Sequence, residues 1–303
     1  MKLEINLLMT SNKEEFRKEK IMHEFLHVLE HTALETLRLL PFLFITYLLM
    51  EYIEHKVSEK SKEIIQKAGK FGPVLGAIVG IFPQCGFSVS ATNLYAARVI
   101  TLGTLISVYL ATSDEMLPIL LTEAMPISTI LTILGIKLLI GIIAGFIIDF
   151  VMRAIKKEEE QKIEEICEHE HCHCDEGIIR SSIKHTLNIL IYIFIISLVI
   201  HIIISLIGEV AISNFVSKNI VLGPIVAGLV GLIPNCASSV ILTELFVENV
   251  ISMPILISGV AVNAGVGILV LFKTNKNVKE NLKIVGLLYA IGVLSGIILQ
   301  LFL

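Results

Sequence analysis

Tryptophan is absent from the 303 residues, charged residues make up only 17%, and cysteines number five. Each shortage excludes something. Without Trp, any aromatic belt at a membrane surface must rest on tyrosines such as Tyr47, Tyr52 and Tyr289. The few charges are gathered into short islands, and 54% of residues are apolar. The apolar runs between the islands are too long to be buried inside a soluble globule of this size. The fold class is therefore an all-α polytopic membrane protein, and no strand pattern competes with it. Five cysteines are too few for a disulfide scaffold. Cys85 and Cys236 lie in apolar segments and three more crowd one polar loop, which points to reduced thiols facing metal or substrate. The net charge of -4 says nothing about nucleic acid, and no basic patch or aromatic interleaving supports such a partner, so none is expected. No Gly-x-x-x-x-Gly-Lys-Ser/Thr run is present, which argues against ATP-driven work by this chain alone.

What is present is a series of apolar segments at 37–53, 72–97, 99–121, 127–151, 186–208, 223–247, 250–272 and 282–303. At ~1.5 Å per residue each can cross ~30 Å of hydrocarbon. Four regions follow. Residues 1–36 form a polar, amphipathic N-terminal segment that lacks the apolar core of a cleaved leader. Residues 37–152 form a first membrane repeat, 153–184 a cytoplasmic Cys/His-rich loop, and 185–303 a second membrane repeat.

The repeat carries most of the reading. Shifted by 151 residues, 71–152 lies on 222–303 without a gap: Gly72-Pro73 on Gly223-Pro224, Pro83 on Pro234, Cys85 on Cys236, Ser88 on Ser239 and Gly141 on Gly292. Shared apolar composition would not align prolines, cysteines and glycines together. Two-fold repeats of this kind build many secondary transporters.

Each repeat is interrupted near the middle of an apolar stretch, at Gly-Ile-Phe-Pro-Gln-Cys-Gly (80–86) and Gly-Leu-Ile-Pro-Asn-Cys-Ala (231–237). Proline donates no helical hydrogen bond and clashes with the preceding turn. Roughly 11 residues flank each break, about 16 Å of helix on either side, which is half a bilayer. The segments are thus either proline-kinked spans or re-entrant pairs of half-helices. Charge favours the re-entrant reading. It makes the two repeats inverted and puts the basic residues of 54–71, Arg98, 153–184 and 273–283 on one side, cytoplasmic by the positive-inside rule. The opposite loops, 122–126 and 248–249, hold no Lys or Arg. The five basic residues of the N-terminal segment are the exception.

Polar residues inside the apolar regions are few, which makes them candidates. The expected transport site consists of Gln84, Cys85, Ser88, Asp114, Glu115, Asn235, Cys236, Asn263 and His201. A charge at the bilayer centre costs ~2.5–3.5 kcal/mol even on a lenient scale, so Asp114 and Glu115 must face protein, water or a cation. Structural pairing with Lys137 is the bland alternative for Glu115. Carboxylate, amide and carbonyl oxygens suit a harder divalent ion such as Mn(II), whereas thiolates suit softer metals or trivalent arsenic. The expected metal ligands are Asp114, Cys85 and Cys236 at depth. Cys167, His169, His171, Cys172, His173 and Cys174 would form a shallow capture tract, with His27 and His31 on a helical face that continues from His23 to Glu35.

The runs Phe-Pro-Gln-Cys-Gly-Phe-Ser (82–88), Asn-Leu-Tyr-Ala-Ala-Arg through Thr-Leu-Gly-Thr-Leu (93–105), Ala-Thr-Ser-Asp-Glu-Met-Leu-Pro (111–118) and Ile-Pro-Asn-Cys-Ala (233–237) resemble the ten-transmembrane heavy-metal exporters. Members of that family are labelled arsenic efflux protein or manganese transporter. The resemblance implies export of a metal across the cell (inner or plasma) membrane, and ten segments follow if each broken segment counts as two pieces. The expectation is a secondary transporter, not an enzyme, that exports a Mn(II)-like divalent ion by proton or sodium antiport. Arsenite or organoarsenical efflux, a channel and a metal sensor remain alternatives. His23-Glu24-Phe-Leu-His27 matches a zinc-protease pattern, but it sits on a polar segment with no third ligand evident. No cofactor is expected beyond the transported ion and any metal held by the loop. The partners are that ion and the lipid bilayer, with a second copy of the chain left open.

Overall fold

The computed structural model describes residues 26–48 (27, 31, 42 and 46 apart), 69–155, 178–207 and 222–302. All of their regular structure is helical, and they include five helical stretches long and apolar enough to cross a membrane, two of them interrupted. The Cys/His tract at 167–174, with His23, His27 and His31, falls outside the described residues.

Residues 28–30, 32–41, 43–45 and 47–48 are helical. Thr32, Thr36, Leu39, Leu43 and Tyr47 are buried at spacings of three and four, one face of a helix, so the helical stretch runs across residue 36. The first repeat region then contributes α1 (Gly72–Gly80), α2 (Gly86–Ala96), α3 (Leu102–Ala111), α4 (Met116–Thr122) and α5 (Ile127–Ile155). After α6 (Ile178–Ile207) come α7 (Leu222–Gly231), α8 (Cys236–Val247), α9 (Met253–Val262), α10 (Gly267–Thr274) and α11 (Val278–Phe302).

Local hydrogen bonds recur 151 residues apart. Ser107 Oγ donates to Pro73 O at 2.6 Å, and Ser258 Oγ to Pro224 O at 2.7 Å. Gln84 N donates to Phe82 O and Asn235 N to Ile233 O, both at 2.7 Å. Arg98 and Asn249 both take positive φ, at 58° and 59°, where α2 and α8 turn into the next helix.

The proline breaks fall where the sequence places them, at 81–85 and 232–235. Two further breaks lie at 112–115 and 263–266, inside segments that read as continuous. Their cause is local polarity. Thr112-Ser113-Asp114-Glu115 offers side-chain oxygens that compete with the backbone, and Asn263 Oδ1 accepts the Gly265 N–H at 2.7 Å while Gly265 takes φ +54°. Pro118 then falls in the first turn of α4, where its missing N–H is not needed.

Packing sets the direction of each piece. A Cβ on Gly76 would lie 2.9 Å from Thr104 O, and one on Gly80 only 2.6 Å from Val108 O. So α1 steps along α3 in the same direction, in close backbone contact that only glycine permits. The loop 97–101 leads from α2 into α3, so both ends of the 72–96 segment lie beside the start of α3. The broken spans are innermost. Of the apolar window in 253–274, 94% is buried, against 28% for 278–302, whose exposed Leu282, Leu294 and Ile298 suit lipid. The two halves interlock reciprocally, α10 against α2 and α4 against α8. Tyr47 is no interfacial anchor: it is buried, stacks on His185 and reaches Asn93 Oδ1 at 3.5 Å. Its helical face seals against Ile189 and Ile193 of α6, which is why the ring points inward.

Candidate metal centre

Where the four breaks converge, Cys85 Sγ and Cys236 Sγ are 3.0 Å apart. Cys85 ends the first proline break just before α2, and Cys236 begins α8 just after the second. Asp114 joins them from the break between α3 and α4, with Oδ2 at 3.6 Å from Cys85 Sγ. One ligand atom from each of the three lies within 4.8 Å of the others, and all three residues are buried. A second group overlaps the first: Glu35, Glu115 and Cys236 also have ligand atoms within 4.8 Å of one another.

The chain builds this centre asymmetrically. The residue 151 positions after Asp114 is Gly265, so one half supplies the carboxylate and the other supplies space. A Cβ on Gly265 would fall 3.3 Å from Cys85 Sγ and 3.4 Å from Asp114 Oδ2. The equivalent serines also diverge. Ser88 Oγ donates back to Cys85 O at 2.8 Å, whereas Ser239 Oγ lies 2.9 Å from Asp114 Oδ1 and 3.0 Å from Cys236 O. Ser239 therefore orients the carboxylate. The repeat of Ser88 at 239 is the only sequence signal for that role.

A cavity of about 190 Å³ opens onto the centre, lined by Glu35, Arg38, Gln84, Cys85, Asp114, Glu115 and Cys236 among others. Glu35 reaches it from the N-terminal helical stretch, one turn beyond the histidine stripe, a placement that only tertiary packing reveals. Behind it His201 Nε2 lies 3.8 Å from Glu35 Oε2, and His201 Nδ1 lies 3.0 Å from Thr32 Oγ1. His201 is thus beside the cavity's acid and outside the thiol centre. Gln84 is on the cavity wall and donates to Arg38 O at 3.1 Å. Asn235 and Asn263 shape the backbone instead, Asn235 by accepting the Ala237 N–H at 3.2 Å at the start of α8.

Lys137 is fully buried, but Glu115 is not its partner. Its Nζ donates to Thr112 O and, at 2.9 Å, to Val260 O. The last carbonyls of a helix carry no intrahelical partner and a partial negative charge, so they accept the ammonium's hydrogen bonds in place of a carboxylate.

The donor set is two sulfurs and a carboxylate, presented at unwound backbone between half-helices. Such a set can desolvate and hold a cation of soft or borderline character. Comparison with known families agrees on the class: residues 35–210 match a family model described as "Putative, 10TM heavy-metal exporter". No curated protein and no solved structure matches the chain.

Proposed function

The chain belongs to this heavy-metal exporter family, and we propose that it carries a thiophilic metal ion or trivalent arsenic out of the cytosol through the Cys85–Asp114–Cys236 centre. The observation that carries the reading is the pair of buried thiols, 3.0 Å apart, with one carboxylate beside them. Two sulfurs in three donors favour zinc, cadmium, copper(I) or arsenite over manganese, whose preference is for oxygen. The donor set thus shifts the expected cargo toward the softer alternative.

The architecture supports a secondary transporter built on inverted repeats. An odd number of crossings in each half follows if 72–96 and 222–247 are re-entrant, and the packing of α1 along α3 supports that. Arg98 and Glu280 form a two-pronged ion pair at 2.8 and 3.1 Å, which brings the loops carrying Arg98 and Lys273–Lys283 to one end, as the positive-inside argument requires. That end is cytoplasmic, and the membrane is the plasma membrane.

Proton antiport follows from the ligands. A thiol binds a metal cation as thiolate, so loading a cation expels protons and reprotonation expels the cation, whereas arsenite joins two thiols by losing water and releases no net proton. The test is flux in proteoliposomes with an imposed pH gradient, using zinc, cadmium, arsenite and manganese in turn. Proton-coupled movement of zinc or cadmium, or movement of arsenite, lost in the double variant Cys85→Ser with Cys236→Ser, supports the reading. Faster flux of manganese, unaffected by the double variant, overturns it.

A further inference from the structure

Lys137 is a charge of the interior that the transport reading does not use. Its side chain is 0% exposed, and its ammonium donates to Thr112 O and Val260 O. Thr112 is the first residue of the 112–115 break in the first half, directly after α3, and Val260 lies in the last turn of α9 before the 263–266 break in the second. Carbonyls released at the C-terminal ends of broken helices form the kind of position that a free alkali cation occupies in discontinuous-helix transporters, because the dipole and the lone pairs both point at it. Here the protein's own ammonium occupies the position.

The internal repeat serves as a control. The residue 151 positions after Lys137 is Leu288, which is also fully buried. The same helix in the other half therefore packs without a charge, and the fold alone does not require one. Burying an ammonium costs several kcal/mol, so an apolar residue would be the more stabilising choice at 137 as it is at 288. Asp114 shows the same asymmetry, its equivalent being Gly265. Lys137 and Asp114 are of opposite sign, and the ammonium meets the carbonyl of Thr112, two residues before Asp114.

We propose that Lys137 is a tethered counter-cation: its ammonium permanently fills a cation position framed by the Thr112 and Val260 carbonyls, clamps the two broken spans together and balances Asp114, so the exporter needs no free alkali cation there. Lys137 is a positioning residue that acts through the two breaks and through Asp114. The proposal rests on the Cys85–Asp114–Cys236 centre being the transport site.

Two variants separate charge from volume. Lys137→Ala empties the position, and Lys137→Met fills it without charge. Wild-type flux should be the same when sodium and potassium are replaced by N-methylglucamine. Lys137→Ala should be at least tenfold slower in N-methylglucamine and recover at least threefold in ammonium or methylammonium, while Lys137→Met should be slow in every medium. A second readout needs no cargo: ammonium should raise the unfolding temperature of Lys137→Ala by several degrees and leave that of Lys137→Met unchanged. Lys137→Met exporting at the wild-type rate would overturn the proposal, as would ammonium failing to restore flux or unfolding temperature in Lys137→Ala. If wild-type protein moves no thiophilic metal, the transport reading fails, and the unfolding measurement still decides whether a cation position exists at 137.

Discussion

Cys85 and Cys236 occupy equivalent places in two halves of the chain 151 residues apart, and their sulfurs lie 3.0 Å from each other. In a variant with Cys167, Cys172 and Cys174 replaced by serine, a mild oxidant such as diamide should join the remaining thiols in one intramolecular disulfide. Peptide mapping would find the 85–236 link, and flux should fall at least tenfold until reductant restores it. Two thiols still free in folded, oxidant-treated protein would refute the geometry.

Asp114→Asn is nearly isosteric and keeps an acceptor for Ser239, so insertion and expression should survive. Loss of the carboxylate that joins both sulfurs in the thiol centre should weaken metal binding by about 3 kcal/mol, on the scale of an uncompensated buried charge. Export would drop at least a hundredfold, read as flux per folded molecule in liposomes.

Gly265→Ala tests the space opposite Asp114. Its backbone sits at φ +54°, and the new Cβ would press on Cys85 and Asp114 at 3.3 and 3.4 Å. Metal affinity measured by calorimetry should fall about tenfold or more. Gly286→Ala, where nothing lies within 4 Å, should bind normally.

The fold was legible in some places and hidden in others, for physical reasons. Pro83 and Pro234 mark the first pair of breaks because proline cannot continue a helix, and the recurrence of Cys85 at Cys236 marks what they carry. The breaks at 112–115 and 263–266 contain no proline, and their flanks are apolar enough to read as unbroken spans. Hydroxyl, carboxylate and glycine backbone effects do the unwinding there, and these act too locally to disturb a hydropathy pattern. Asp114, Cys85 and Cys236 were identifiable as a set because each is expensive or unusual at depth. Glu35 was not, because its approach to the cavity depends on how the N-terminal helical stretch packs against α6. The partners of Lys137 were equally unreadable, since backbone carbonyls leave no trace in residue identity.

Topology can be checked at two described loops. Ala124→Cys should react with an impermeant maleimide only from outside the cell, and Asn277→Cys only from the cytosolic side. Both reacting from the same side would remove the inverted arrangement.

The Cys/His tract at 167–174 should tune capture without forming the path. Replacing its cysteines and histidines should raise the metal concentration for half-maximal export about three- to tenfold and leave the maximal rate near wild type. Complete loss of export in folded protein would make the tract an obligatory relay.

The central claim is that cargo sits between two sulfurs and a carboxylate. X-ray absorption of the tract-free protein loaded with one equivalent of zinc tests it most directly. The account expects a mixed shell of two sulfurs at about 2.3 Å and oxygen at about 2.0–2.2 Å, with the sulfur contribution lost in the Cys85→Ser, Cys236→Ser variant. A shell of oxygen and nitrogen alone, with both thiols reduced and present, would contradict it.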